Sequence, residues 1–266
     1  MIAYFSGTGN SRYVAETIAQ TINDGAVAIE TACPSLQLAE GEVFGVVVPT
    51  YCWGLPDIVR EWLKSICGTL LSDTYCFLVV TYGTTTGQIG VQADELLNGI
   101  IGRPFDAQFS VRMPDVWTPI FDLSDIASVA KQVQSAKAET QQVAHKIALH
   151  TQGKHIRCAI PAPITRLYYR TYEKKRQTYH LHAGATCIGC GLCAKRCPVQ
   201  AIEMKADKGA DKRHPEWIKP QCTMCLRCLH HCPKFAIQYD NKTIHHGQYV
   251  FQKYNTTNIE NSINKM

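Results

Sequence analysis

A chain of 266 residues that is 45% apolar can bury one large core and one small one, which excludes a disordered or low-complexity polypeptide. Its net charge of +5 hides a division: residues 1–150 hold 8 Lys or Arg against 15 Asp or Glu, whereas residues 151–266 hold 19 against 7. Opposed signs predict two domains that attract each other or attract different partners. Met1 leads straight into the apolar MIAYF with no basic region or cleavage site, and no window approaches the roughly eighteen apolar residues of a membrane span. The chain therefore reads as cytoplasmic. Thirteen cysteines in that compartment favour metal-binding or catalytic thiols over a disulfide framework.

In chain order, strands are predicted at MIAYF (1–5), AVAIE (26–30), VFGVVV (43–48), YCFLVV (75–80) and AQFSVRM (107–113). Between them, RYVAETIAQTI, DIVREWLKSI and GVQADELLNGI repeat apolar residues at helical spacing, and a long helix opened by Ser124 closes the region. Strands alternating with helices predict an α/β domain over residues 1–150, a doubly wound five-stranded parallel sheet.

The first strand-to-helix turn reads FSGTGNSRY. Gly7 and Gly9 permit a tight turn with exposed N–H groups, and Ser6, Thr8, Asn10 and Ser11 add donors where a helix presents its positive end. Such a turn suits a phosphate. It lacks the lysine of a P-loop, and Arg12 replaces the small residue of a dinucleotide fingerprint. The third and fourth strands end in PTYCWGLP and TYGTTTG, so three loops meet where open parallel sheets bind ligands. Thr50, Tyr51, Trp53 and Gly54 in one loop, and Tyr82 with Gly83 in the other, bring aromatic faces for a flat ring.

SGTGNS, PTYCWG and TYG at successive strand ends resemble the three flavin mononucleotide loops of flavodoxins. The resemblance covers about 150 residues. It implies FMN, with Ser6, Thr8, Gly9, Asn10 and Ser11 around the phosphate and Tyr51, Trp53 and Tyr82 near the isoalloxazine.

Further on, Cys187, Cys190, Cys193 and Cys197 precede Pro198, and Cys222, Cys225, Cys228 and Cys232 precede Pro233. Both runs spell C-x2-C-x2-C-x3-C-P, the run of bacterial two-cluster ferredoxins, in which the fourth cysteine crosses to the other cluster. The resemblance implies one [4Fe-4S] cluster on Cys187, Cys190, Cys193 and Cys232 and a second on Cys222, Cys225, Cys228 and Cys197. Structural zinc is disfavoured, because zinc takes paired knuckles and a third cysteine so near would be superfluous. In CIGCGLC, Gly189 and Gly191 let N–H groups approach sulfur, whereas CTMCLRC has Met224 and Arg227, so inequivalent clusters are expected, with Arg227 raising the potential of the second.

The remaining boundaries read as a basic helical linker at 151–182, a two-cluster ferredoxin domain at 183–240 and a polar tail at 241–266 whose final dozen residues are mobile. The insert KADKGADKRHP reads as a basic surface loop, either a docking site or only a solvated turn. In the linker, Leu167, Tyr168 and Tyr172 share one helix face, and the basic residues beside them face the acidic half rather than nucleic acid. His245 and His246 are too few for a metal site. Cys33, Cys67, Cys76 and Cys158 read as small buried residues, and Cys52 sits beside the flavin loop with no activating histidine.

Joining a flavin to such clusters makes a converter between two-electron and one-electron carriers. The whole chain resembles flavodoxin and ferredoxin fusion proteins of anaerobic bacteria and archaea, which implies a redox relay with other redox proteins as partners. The alternative is a flavin-dependent reductase of a small substrate, its flavin fed by the clusters. No dinucleotide fingerprint or acid–base pair speaks for it, so an electron carrier is favoured over a substrate-specific oxidoreductase.

Overall fold

The structure, a computed structural model, describes residues 1–32, 35–37, 42–69, 74–157, 159–206 and 213–254. The expectations for Cys33, Cys158, the middle of the lysine-rich insert and the last dozen residues fall outside them. The chain divides into two compact units, Met1–Pro114 with Gln132–Tyr172, and Asp115–Lys131 with Glu173–Met266.

The first unit contains β1 (Ile2–Tyr4), α1 (Asn10–Thr21), β2 (Ala26–Ala28), β3 (Ser35–Gln37), β4 (Val43–Pro49), α2 (Asp57–Ser65), β5 (Cys67–Thr69), β6 (Tyr75–Tyr82), α3 (Ile89–Ile101) and β7 (Ala107–Arg112). After these come α4 (Ile126–Ala148), β8 (Gly153–His155) and α5 (Ala162–Lys175). Six strands form one parallel sheet in the order β2-β1-β4-β6-β7-β8. The continuous apolar runs explain its centre. Val46, Val47 and Val48 of β4 and Phe77, Leu78, Val79 and Val80 of β6 are fully buried, as strands covered on both faces must be. Each such side chain contributes about 1.5–3 kcal/mol relative to an exposed one.

Five strands are predicted and six are found. The sixth, β8, pairs with β7 over three residues of sequence Gly-Lys-His. An exposed, polar edge strand carries no hydrophobic alternation, so its sequence reads as linker. β3 and β5 make a separate two-stranded parallel pair, and Cys67 at its start is exposed rather than buried as expected. Cys76 is buried, and burial pushes its thiol up to about 11. On α5 the inward face runs through Thr165 and Tyr172, while Leu167, expected beside the tyrosines, is 69% exposed.

The second unit contains a 3-10 turn (Thr178–His180), β9 (Leu181–Ala183), α6 (Leu192–Lys195), β10 (Ile202–Ala206), β11 (Arg213–Trp217), α7 (Arg227–His230), β12 (Ile237–Tyr239) and α8 (Phe251–Tyr254). β9 pairs antiparallel with β12, and the insert forms the antiparallel hairpin β10–β11. Leu181, Met224, Leu226, Leu229, Ile237 and Tyr239 form the core, with Trp117 packed against it. Trp117 arrives from the segment after β7 and meets the Tyr239 ring edge-on at 5.5 Å. The same segment engages His230, whose Nε2 donates to the Val116 carbonyl at 2.9 Å while its Nδ1 accepts from the Tyr249 N–H at 3.2 Å. Those partners require a neutral imidazole, and burial pushes its pKa down to about 4.

No helix among the described residues is long and apolar enough to cross a membrane.

Candidate functional site

In the first unit, β1 pairs with β2 on one side and β4 on the other, so the order of the strands reverses there. Ligands in open parallel sheets bind beyond the carboxyl ends of strands at such a reversal. α1 begins at Asn10, directly behind the glycine-rich turn, so the positive end of its dipole lies at that turn. The Gly9 N–H donates to Ser6 Oγ at 3.0 Å, and Thr8, Asn10 and Ser11 are buried. Thr81, at the end of β6, ties the loops together: its hydroxyl lies 2.8 Å from Ser11 Oγ, and its carbonyl accepts from the Thr50 N–H at 2.9 Å. The three predicted loops therefore converge. Thr50 Oγ1 and Thr85 Oγ1 are buried with no hydrogen-bond partner among the described residues. Each such orphan costs about 1–3 kcal/mol, a deficit that a polar ligand bound between these loops removes.

The loop after β4 closes as a tight turn. The Tyr51 N–H donates to the Gly54 carbonyl and the Gly54 N–H to the Tyr51 carbonyl, both at 2.9 Å. Cys52 and Trp53 between them have φ of 46° and 69°. Positive φ at both central residues is the pattern that Asn-Gly ordinarily supplies, so a cysteine and a tryptophan here cost about 1–2 kcal/mol each. Packing holds them. The Trp53 indole stacks on Tyr168 of α5 with ring centroids 3.9 Å apart, and the Tyr169 hydroxyl donates to the Leu55 carbonyl. The Tyr172 hydroxyl donates to Asp57 Oδ1 at 3.0 Å, with its ring edge-on to Tyr51. From the other side the Gln88 N–H donates to the Trp53 carbonyl at 3.1 Å, and a Cβ at Gly87 would fall 2.3 Å from Trp53 Cβ.

Of the three predicted aromatics, Tyr82 is buried, while Tyr51 and Trp53 are only half-buried. The Tyr82 carbonyl accepts from the Met113 N–H at 2.8 Å, and the Gly83 carbonyl accepts from Arg112 Nε at 3.1 Å, fixing the third loop. Thr81, Thr85, Tyr168, Tyr169 and Tyr172 were not visible as site residues in the sequence. TYGTTTG pointed toward the threonines, but nothing short-range links α5 to the turn at Trp53.

In the second unit, two small cavities are walled by cysteine. Cys187, Cys190, Cys193 and Cys232 line the first, together with Ile188, Met204 and Pro215. Cys222, Cys225, Cys228 and Cys197 line the second, with Leu181, Trp217 and Arg227. Four cysteines line each cavity, the ligand number that a [4Fe-4S] cubane takes.

Backbone donors face the sulfurs in matched pairs. The Gly189 N–H reaches Cys187 Sγ at 3.5 Å and the Met224 N–H reaches Cys222 Sγ at 3.3 Å. The Ala201 N–H reaches Cys197 Sγ and the Ala236 N–H reaches Cys232 Sγ, both at 3.2 Å. These donors temper the charge of any cluster held there. In the run without glycines, Met224 and Leu226 adopt the same positive φ, 53° and 52°, and the Met224 N–H makes the contact that Gly189 makes in the first run.

Comparison with known proteins finds a domain match in each unit. A flavodoxin domain model matches residues 1–143, and a 4Fe-4S dicluster domain model matches residues 186–236. An uncharacterized polyferredoxin-like protein of Methanocaldococcus jannaschii is 35% identical over 66 residues, covering 22% of this chain and 39% of that relative's length. The solved structure of a Trp repressor binding protein from Bacillus subtilis overlaps 53% of this chain and 96% of its own, at 15% identity and a TM-score of 0.31, too slight a likeness to support any reading. The flavodoxin domain implies FMN, and the dicluster domain implies 4Fe-4S clusters. The chain belongs to the flavodoxin domain family and joins that domain to a C-terminal 4Fe-4S dicluster domain.

Proposed function

We propose that the protein is an electron-transfer flavo-iron-sulfur protein carrying FMN and two [4Fe-4S] clusters, and that it exchanges electrons with other redox proteins. The observation that carries this reading is the sharing of cysteines: each cavity takes three thiols from one run and the fourth from the other. When bound, FMN exchanges one or two electrons and each cluster exchanges one, which makes the chain a converter between the two kinds of carrier.

The residues have separable tasks. Ser6, Thr8, Gly9, Asn10 and Ser11 hold the phosphate at the head of α1, and the orphaned Thr50 hydroxyl supports a ligand beside it. The strained turn offers Tyr51 and Trp53 to the flavin ring, with Gly54, Tyr82 and Gly83 framing the pocket. With Tyr168 covering one face of Trp53, a stacked flavin uses the opposite face. The eight cysteines hold the clusters as the cavities group them.

The decisive experiment is an anaerobic dithionite titration followed by absorbance, with flavin and iron counted on the same sample. Reversible bleaching with one FMN and about eight irons per chain is expected. About four irons would refute the second cluster, and iron without flavin would refute the assignment of the N-terminal loops.

A further inference from the structure

Beside the two thiol-lined cavities the second unit carries a third, open groove of about 660 Å³, running between β9 and β11. Its walls are shared. Leu181 and Trp217 line both this groove and the cavity of Cys222, Cys225, Cys228 and Cys197, and Pro215 lines both the groove and the cavity of Cys187, Cys190, Cys193 and Cys232. A single layer of side chains thus stands between the groove and each thiol set. One wall is built by β11 of the hairpin inserted between the two cysteine runs.

We propose that this groove is the surface through which an external, acidic electron-transfer protein docks and exchanges electrons with the clusters. The inference rests on the cluster reading above. Shape favours a protein over a small molecule, because small ligands take concave sites that bury most of their surface, and this groove is open. The lining suits an interface: Tyr179 is 75% exposed and Ile218 42% exposed, and exposed aromatic and aliphatic side chains at such a concentration mark docking patches. Charge selects the partner. Lys219 stands on the lining, and its carboxylate neighbour Glu216 is already paired with Lys205 at 2.9 Å. The unit as a whole holds 16 Lys or Arg against 10 Asp or Glu, a surplus that two oxidised clusters at −2 each cut to about +2. The positive charge of Lys219 at the groove therefore steers acidic proteins toward this face.

The step needs no proton: a reduced cluster loses one electron and the docked protein's centre gains it. The probe is an oxidised acidic [2Fe-2S] ferredoxin, mixed anaerobically with the dithionite-reduced chain in a stopped-flow instrument. Tyr179→Glu and Lys219→Glu are each expected to slow the second-order rate about 10-fold at low salt, the difference fading as salt rises. Ile218→Glu provides a second exposed position should Lys219→Glu disturb the fold. Hydrogen exchange on the unreduced pair is expected to show protection at 178–183 and 214–220. Iron is counted first in every variant. A chain lacking iron would refute the cluster reading, whereas an iron-replete chain whose rate ignores all three variants, or whose protection falls elsewhere, would overturn the docking groove.

Discussion

The two cysteine runs have the same spacing and the same backbone, and differ in what surrounds them. Gly189 and Met224, Gly191 and Leu226, and Gln200 and Phe235 occupy equivalent positions, and all six have positive φ. Yet α6 buries none of its residues, whereas α7 buries Leu229 and His230. Cys190 is exposed and its counterpart Cys225 is buried. The backbone of each run is therefore dictated by presenting thiols and N–H groups to one cavity, and the side chains record whether that run lies at the surface or in the core. Glycine meets the dihedral requirement at the surface. In the core, Met224 and Leu226 accept a strain of about 1–2 kcal/mol each because burial contributes about 1.5–3 kcal/mol.

The strongest way to break this comparison is to remove one ligand from each run. Cys190→Ala and Cys225→Ala are each expected to lose about four irons, one cluster, by iron assay. The Cys225 variant should also lose more thermal stability, since it opens a buried site. Equal midpoints would mean that the runs do not differ in their surroundings.

Next in size is His230, whose counterpart in the first run is the exposed Lys195. His230→Ala leaves the Val116 carbonyl and the Tyr249 N–H without their partner and should cost about 2–4 kcal/mol in anaerobic denaturant unfolding. Lys195→Ala should stay within about 0.5 kcal/mol. Within the first run alone, a Cβ at Gly189 would lie 2.6 Å from the Arg213 carbonyl oxygen, while one at Gly191 would meet only Met204 Cγ at 3.6 Å. Gly191→Ala is expected to cost the backbone strain alone, about 1–2 kcal/mol, and Gly189→Ala about 1–3 kcal/mol beyond that. A reversed order would show that the β10–β11 hairpin yields easily.

The smallest expected effect is electrostatic. Arg227 lines the second cavity and donates to the Arg196 carbonyl at 3.1 Å, beside Cys197. Its positive charge stabilises a reduced, more negative cluster, so Arg227→Ala should lower that cluster's potential by the equivalent of about 1 kcal/mol and leave the other unmoved. An anaerobic redox titration that finds both unmoved would remove Arg227 as a cause of inequivalence.

Both candidate sites were legible in the sequence because each rests on short-range patterns. Three cysteines within seven positions can bend around one cavity without help from distant residues, and a glycine-rich turn before a helix offers N–H groups suited to an anion. Other parts depend on partners far along the chain. β8 is three polar residues whose strand character comes from β7 alone. The segment after β7 carries Trp117 to a core formed by residues beyond 180, and no local signal announces that partner.

The amino-acid sequence by itself determined the parallel sheet, the glycine-rich turn before α1 and the two cysteine runs, because hydrophobic period, glycine placement and cysteine spacing act over a few residues. Only the tertiary structure decided how Cys52 and Trp53 hold a left-handed turn, since their own preference opposes it and Tyr168, Tyr169 and Tyr172, more than a hundred positions away, supply the compensating contacts. It likewise decided that Trp217 stands between an open groove and a thiol-lined cavity, because a wall shared by two spaces exists only after the hairpin has folded against the run.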